Sequence, residues 1–429
     1  MPDLATTGFG IAALVIFVTA YAFVVMEESL DMRKSHPVLV AAGLIWALIG
    51  LAAARSGRPD VAGEQASHLF GEFGELFLFL LVAVTYVNCL EERRVFDVLR
   101  AKMSAQRMSY RTVFWLTGLA AFFLSSVLDN LTTALVIGAV VLAIGRANRS
   151  FVALACINIV VAANAGGAFC PFGDITTLMV WQKGKLEFFE FFRLFLPALV
   201  NWVVPAAIMS MAVPSGTPPE NSEYERMKAG ARGVMVLFAL TIVTAVSFRN
   251  FLGLPPALGM MLGLGYLQVW SYHLQQKSKR RADTDMLLNS FKEISRVEWD
   301  TMLFFFGIIF AVGGLGVLGH LTLASQWLYA GFGPTIANVA VGVLSAVVDN
   351  IPLMFAVLTM DPQMGSEQWL LIALTAGVGG SLLSIGSAAG VALMGLARGQ
   401  YTFSSHLKWT WAVALGYAAS TALHLLLVG

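Results

Sequence analysis

Three aspartates stand where an acid is costly. Asp129 lies in SSVLDNLTT (residues 125–133), Asp349 in SAVVDNIPL (345–353) and Asp174 in NAGGAFCPFGDITT (164–177), and each string interrupts a long apolar run. The sequence puts no Lys or Arg within several residues of any of them. An ionisable group at mid-membrane depth costs roughly 2.5–3.5 kcal/mol and is functional by default. A carboxylate without a basic partner either takes up a proton or holds a cation. A site that alternates between those states exchanges cations for protons. The neighbours suit a small hard cation such as Na+, which wants oxygen ligands. The first tip offers Ser125, Ser126, Asp129, Asn130, Thr132 and Thr133, and the next polar stretch adds Asn164, Asp174, Thr176 and Thr177. The second half offers Ser345, Asp349, Asn350, Ser384 and Ser387. Its counterparts are poorer: Ser387 matches Asp174, while Pro352 and Leu353 match Thr132 and Thr133. The main Na+ site is therefore expected at Asp129, Asn130, Asn164 and Asp174. A lone Ser or Thr in an apolar helix also has a plainer use, bonding back to its own helix.

The elements that must carry these residues follow from composition. The chain has 429 residues, 58% hydrophobic and 12% charged, with a net charge of +1. Globular domains carry about a quarter charged residues, so a soluble surface is excluded. A nucleic-acid footprint is excluded too, since Lys and Arg only balance Asp and Glu. The fold expected is an all-α polytopic membrane protein. Cys89, Cys156 and Cys170 show no CxxC spacing and read as small buried hydrophobes. With no Lys or Arg before it, the first apolar run reads as a retained span rather than a signal peptide. A span needs about 20 apolar residues. Residues 9–26, 38–54, 69–90, 192–213, 234–248, 256–270, 302–318 and 407–428 qualify. Residues 151–181 and 369–397 read as broken spans, which makes ten. Residues 112–145 and 335–360 read as re-entrant hairpins with polar tips, tolerated only where protein or water satisfies the backbone.

The hairpin tip, the broken span and the start of the third span each recur in the same order. Gly166, Gly167 and Gly173 match Gly379, Gly380 and Gly386, and ELFLFLLVAV from Glu75 resembles DTMLFFFGII from Asp300. Five crossings per half is odd, so the second half is inverted. Residues 1–213 and 234–429 are then two five-span repeats joined by a cytoplasmic linker at 214–233, an arrangement of secondary transporters. With the N-terminus outside, 21 of the 27 Lys and Arg fall on the inner side, Arg33, Lys34, Arg107 and Arg146 among them. That bias fits the positive-inside rule. Both termini lie outside; the first hairpin enters from the cytoplasm and the second from the outer side. Glu75, Glu298 and Asp300 open third spans, where an acid suits the helix dipole or an ion-entry or proton-relay role.

EESLDMRKSHPVLVAAGLIWALIG, SSVLDNLTTALV, NAGGAFCPFGDITT, EWDTMLFFFGIIF and SAVVDNIPL together resemble the NhaD family of Na+/H+ antiporters over essentially the whole chain. That family sits in the ion-transporter superfamily, beside divalent-anion/sodium symporters and arsenite exporters. The resemblance implies a transporter and not an enzyme, exchanging Na+ or Li+ for H+ electrogenically, with activity raised at alkaline pH. It implies no cofactor, a multi-pass plasma (inner) membrane location, and a homodimer with a fixed scaffold and a moving, elevator-type transport domain. The family's acidic and polar positions fall on Glu75, Asp129, Asn130, Asn164, Asp174, Thr176, Thr177, Glu298, Asp300, Ser345, Asp349, Asn350, Ser384 and Ser387. Asn88 departs from it, standing where an acid is expected. Competing readings are an arsenite exporter, whose substrate is neutral, and a Na+-coupled divalent-anion symporter, whose substrate two tip aspartates would repel. An intramembrane aspartyl protease would need two carboxylates sharing a proton.

Overall fold

The structure, a computed structural model, describes residues 4–30, 32–104, 108–145, 148–217, 225–281 and 284–428. Arg107, Arg146 and residues 218–224 of the expected linker lie outside the described residues. Among the described residues every regular element is a helix, and nine helices are long and apolar enough to cross a membrane. Long runs of Leu, Val, Ala and Phe leave the backbone no polar side chain to bond, so each segment closes its hydrogen bonds within itself.

The first two expected spans form Gly8–Val25 and Ser35–Arg55. The third is longer than its apolar run. Pro59–Glu92 has 34 residues and a proline in its first turn, about 51 Å of helix against a hydrocarbon core of about 30 Å. Tyr110–Ser125 and Asn130–Gly145 form one hairpin, Gly331–Leu344 and Asn350–Met360 another. Both arms of the first and Asn350–Met360 fall short of a comfortable crossing, whereas Gly331–Leu344, against expectation, continues from His320 as a run of 25 residues long enough to cross. The two interrupted runs break as expected, into Arg149–Ala168 and Ile175–Gln182, and into Ser366–Gly379 and Ala388–Leu396. One element was not anticipated. His320–Ser325 and a π turn at Gln326–Ala330 lead into the second hairpin, where the sequence had suggested nothing between 318 and 335. Gly319, at φ 98°, reverses the chain, and Gly333, at φ 78° before Pro334, kinks it; both conformations favour glycine.

Arg149–Ala168 forms the centre: from Phe151 to Ala168 every residue but Ala153 is buried. The first hairpin lies on it, with Asn158 Nδ2 donating to the Phe114 carbonyl at 2.7 Å and Trp202 Nε1 donating to Asn158 Oδ1 at 2.8 Å. The second hairpin lies on Ser366–Gly379, with Asn338 Nδ2 donating to the Gln368 carbonyl at 3.0 Å. In both places the backbones press together. A Cβ at Gly166 would collide with the Phe122 carbonyl, and one at Gly379 with the Gly342 carbonyl. Small residues permit that approach between apolar helices. A second packing unit joins Ser35–Arg55 to Trp299–Leu318, where Gly307 receives Val38 and Trp46 Nε1 donates to the Phe310 carbonyl at 2.9 Å. This unit brings Lys34, Glu298 and Asp300 to the hairpin tips. Cys89, Cys156 and Cys170 are buried and free.

Candidate functional site

The polar groups sit at helix starts. Asp174 caps Ile175–Gln182: its Oδ1 accepts from the Thr176 N–H at 2.9 Å and the Thr176 hydroxyl at 3.0 Å. Its Oδ2 accepts from Asn130 Nδ2 at 2.8 Å, and Asn130 Oδ1 accepts from the Ser125 hydroxyl at 2.7 Å. The amide of the first hairpin is thereby fastened to the carboxylate of the first broken helix. Gly167 makes room for it, since a Cβ there would stand 2.5 Å from Asn130 Oδ1. Asp129 is satisfied within its own turn: Oδ1 accepts from the Thr132 N–H at 2.8 Å and Oδ2 from the Thr132 hydroxyl at 2.7 Å. Side-chain acceptors at such positions take up N–H groups that a helix start leaves unpaired.

The second half repeats the outline with fewer donors. Asn350 Oδ1 accepts from the Ser345 hydroxyl at 3.0 Å. Ser387 caps Ala388–Leu396, accepting from the Gly390 N–H at 3.3 Å. Asp349 caps Asn350–Met360 with a contact of 3.5 Å from the Ile351 N–H, at the outer limit of a hydrogen bond. Between the halves, Asn164 Nδ2 donates to the Ser381 hydroxyl at 2.8 Å and ties the two broken helices together. Asn164 Oδ1 is buried with no protein partner.

These groups converge. A cavity of about 340 Å³ is lined by Asp129, Asn130, Thr132, Asn164, Asp174, Asp349, Asn350 and Ser387, with Lys34, Asn88, Glu91, Arg296, Glu298 and Thr301 around them. Leu80, Val84, Met302 and Phe305 supply apolar wall. Asp174 is 7% exposed, so its charge is met almost wholly by the donors just named. Carboxylate, amide and hydroxyl oxygens in one pocket suit a hard cation, and no group of three or more His, Cys, Asp or Glu poised for a metal occurs among the described residues.

Some expectations are corrected. Asp349 is not without a basic partner: Lys34 Nζ lies 3.6 Å from its Oδ2. Lys34 is accordingly not merely a charge of the inner interface, because it lines the cavity. The Ser126 hydroxyl donates to the Phe123 carbonyl, and the Thr177 hydroxyl lies 3.0 Å from the Cys170 carbonyl and 2.8 Å from that of Asp174. Both serve their own backbone. Ser125, Thr176 and Ser345 hydrogen-bond to Asn130, Asp174 and Asn350, while Thr133 and Ser384 are buried away from the cavity lining. Glu75 lies in a separate cavity of about 270 Å³ with Glu72, Gln182 and Lys183, at the far end of Ile175–Gln182 from Asp174. Glu298 joins the main cavity and accepts from the Thr301 hydroxyl at 3.0 Å. Asp300 accepts from the Ser35 hydroxyl and faces a neighbouring cavity instead. Asn88 lines the main cavity and donates to the Glu293 carbonyl at 3.1 Å. Lys34, Ser381 and Arg296 escaped the sequence reading. Ser381 alone had a signal, as the hydroxyl beside the Gly379-Gly380 pair.

Known proteins are similar to this chain. The CitMHS family model, described as citrate transporter, matches residues 4–377. A Na+/H+ antiporter NhaD of Vibrio cholerae is 53% identical, covering 99% of this chain and 93% of that protein. One of Halomonas elongata is 52% identical, covering 99% of this chain and 90% of its own. Sodium/proton antiporter 1 of Arabidopsis thaliana is 33% identical, covering 97% of this chain and 72% of its own. At that identity over nearly the full length, and with the family model matching most of it, the chain belongs to the NhaD-type family of Na+/H+ antiporters.

Proposed function

We propose that this chain exchanges Na+ or Li+ for H+ across the plasma (inner) membrane. The observation that carries the reading is the Asn130–Asp174 contact of 2.8 Å inside a cavity that also holds Asp129 and Asn164. Deprotonated, Asp174 and Asp129 bind the cation with the Asn130 and Asn164 oxygens; protonated, they carry H+. Cation and proton compete, so one cannot ride with the other. The names of the NhaD relatives support the same exchange.

Alternating access is the second part of the proposal. Residues 1–213 and 234–429 are two inverted repeats. The hairpins and broken helices move together past a scaffold that includes Ser35–Arg55 and Trp299–Leu318, and two copies associate through that scaffold. The charged end of the cavity, with Glu91 and Arg296, faces the cytoplasm, both termini lie outside, and the Glu75 cavity is the outer approach. Leu76, Met179 and Phe355 line that approach.

The test is dissipation of a pH gradient in everted vesicles, with Na+, Li+, K+, arsenite and citrate added in turn. Response to Na+ and Li+ alone is expected. Response to arsenite, or citrate-dependent Na+ uptake, would replace this reading with that of a superfamily neighbour.

A further inference from the structure

We propose that Lys34 is a resident counter-cation. Its ammonium holds Asp349, so the cavity exchanges one cation, at Asp129 and Asp174, and offers no second site at Asp349. The inference rests on the cation exchange proposed above and assigns its capacity.

The reason begins in the chain. Three residues after Asp129 comes Thr132, whose N–H and hydroxyl each donate to the carboxylate. Three residues after Asp349 comes Pro352, which has neither group. Asp349 is left with the 3.5 Å contact from Ile351. A carboxylate drawn from water and short of donors needs a counter-charge. Lys34 Nζ supplies it at 3.6 Å from Oδ2, with both side chains only about a quarter exposed (23% and 24%). The same ammonium lies 4.8 Å from the Phe304 ring centroid, a second attraction that fixes it in place. The Asp349 N–H also donates to the Tyr21 hydroxyl at 3.1 Å. The second acid is thus held from elsewhere in the molecule, whereas Asp129 is satisfied within its own turn.

Charge follows the same division. Among the described residues the ion pairs leave Asp129 and Asp174 without a cation, while Asp349 and Lys34 cancel. Lys34 and Asp349 line both the main cavity and its neighbour of about 390 Å³. Ions therefore reach Asp349 once the lysine charge is gone.

The experiment measures radiolabelled Na+ bound per purified full-length chain at saturation, beside vesicle exchange. The wild type is expected to bind one Na+ per chain, Lys34→Met two, and Lys34→Met/Asp349→Asn one again. Lys34→Arg keeps the charge and the count of one. A wild-type count of two overturns the proposal without any variant, and so does a folded Lys34→Met protein that still binds one. If Lys34→Met is not recovered as a folded protein, Lys34→Gln is read in its place by the same criteria. A wild type that binds no Na+ and exchanges none defeats the underlying reading instead, which keeps the two failures apart.

Discussion

The two hairpin tips share a sequence outline and differ in how they satisfy their acid. At Asp129 both carboxylate oxygens are met inside one turn by Thr132. At Asp349 the corresponding Pro352 gives nothing, and Lys34, Phe304 and Tyr21 close around the tip from other helices. The broken helices differ in the same sense, with a carboxylate at Asp174 against a hydroxyl at Ser387. The comparison teaches that a duplicated frame need not mean duplicated chemistry. The first tip's acid has no cationic partner among the described ion pairs, whereas the second tip's acid is paired with Lys34 of the first half.

The largest test of that difference sets the two breaks against each other. Asp174→Asn should weaken Na+ binding by about 30-fold to several thousand-fold, since removing one member of a buried charge pair costs about 2–5 kcal/mol. Ser387→Ala should change it less than about fivefold. Equal losses would break the comparison, and Na+-dependent dissipation of a pH gradient measures both. Next come the glycines under the tip amides. Gly167→Ala pushes a methyl to 2.5 Å from Asn130 Oδ1 and 2.9 Å from the Gly173 carbonyl, an overpacking cost of about 1–3 kcal/mol. A fall in melting temperature together with weaker Na+ binding is expected. Gly380→Ala meets Asn350 Oδ1 at 3.0 Å and the Gly386 carbonyl at 2.8 Å, so its melting temperature should fall too, with Na+ binding largely kept. Thr132→Val removes one donor to Asp129 and should weaken Na+ binding roughly tenfold, about 1.5 kcal/mol for a hydrogen bond to a charged group. The corresponding Pro352→Ala should leave it within about twofold. The smallest effect belongs to Glu75→Gln. Its cavity is separate from that of Asp174, so Na+ affinity measured from the Asp174 side should move less than about threefold. A larger change would join the two cavities in one pathway.

Much of this was legible in the chain. The hairpins and broken helices announce themselves because a polar tip inside an apolar run has few structural solutions. Asp129, Asn130, Asn164, Asp174, Asp349 and Asn350 were legible for the same reason, and all six line one cavity. Their convergence was not, since local pattern says nothing about which helix starts face each other. Lys34 was misread because Arg33 and Lys34 look like an ordinary inner-side charge cluster, and its partner lies 315 residues away. Ser126 and Thr177 look like ligands in sequence, but a hydroxyl in a helical turn finds the backbone carbonyl behind it first. The N-terminal part of Pro59–Glu92 carries too many polar residues to read as a span, and only its continuity with the apolar part makes it helical.

That Asp174 and Asp349 are N-caps as well as acids bears on how the backbone experiences turnover. A cap asks only for an acceptor oxygen, and Asn serves there as well as Asp. A carboxyl that has gained a proton still keeps such an oxygen. Ile175–Gln182 would therefore keep its cap on Asp174 Oδ1 if Oδ2 took a proton, while Asn350–Met360 starts on an acid held by Lys34. A proton on Asp174 Oδ2 would weaken the Asn130 Nδ2 hydrogen bond while leaving the helix cap intact. On the proposed exchange, occupancy would reach the first hairpin through Asn130 without melting a turn on every cycle.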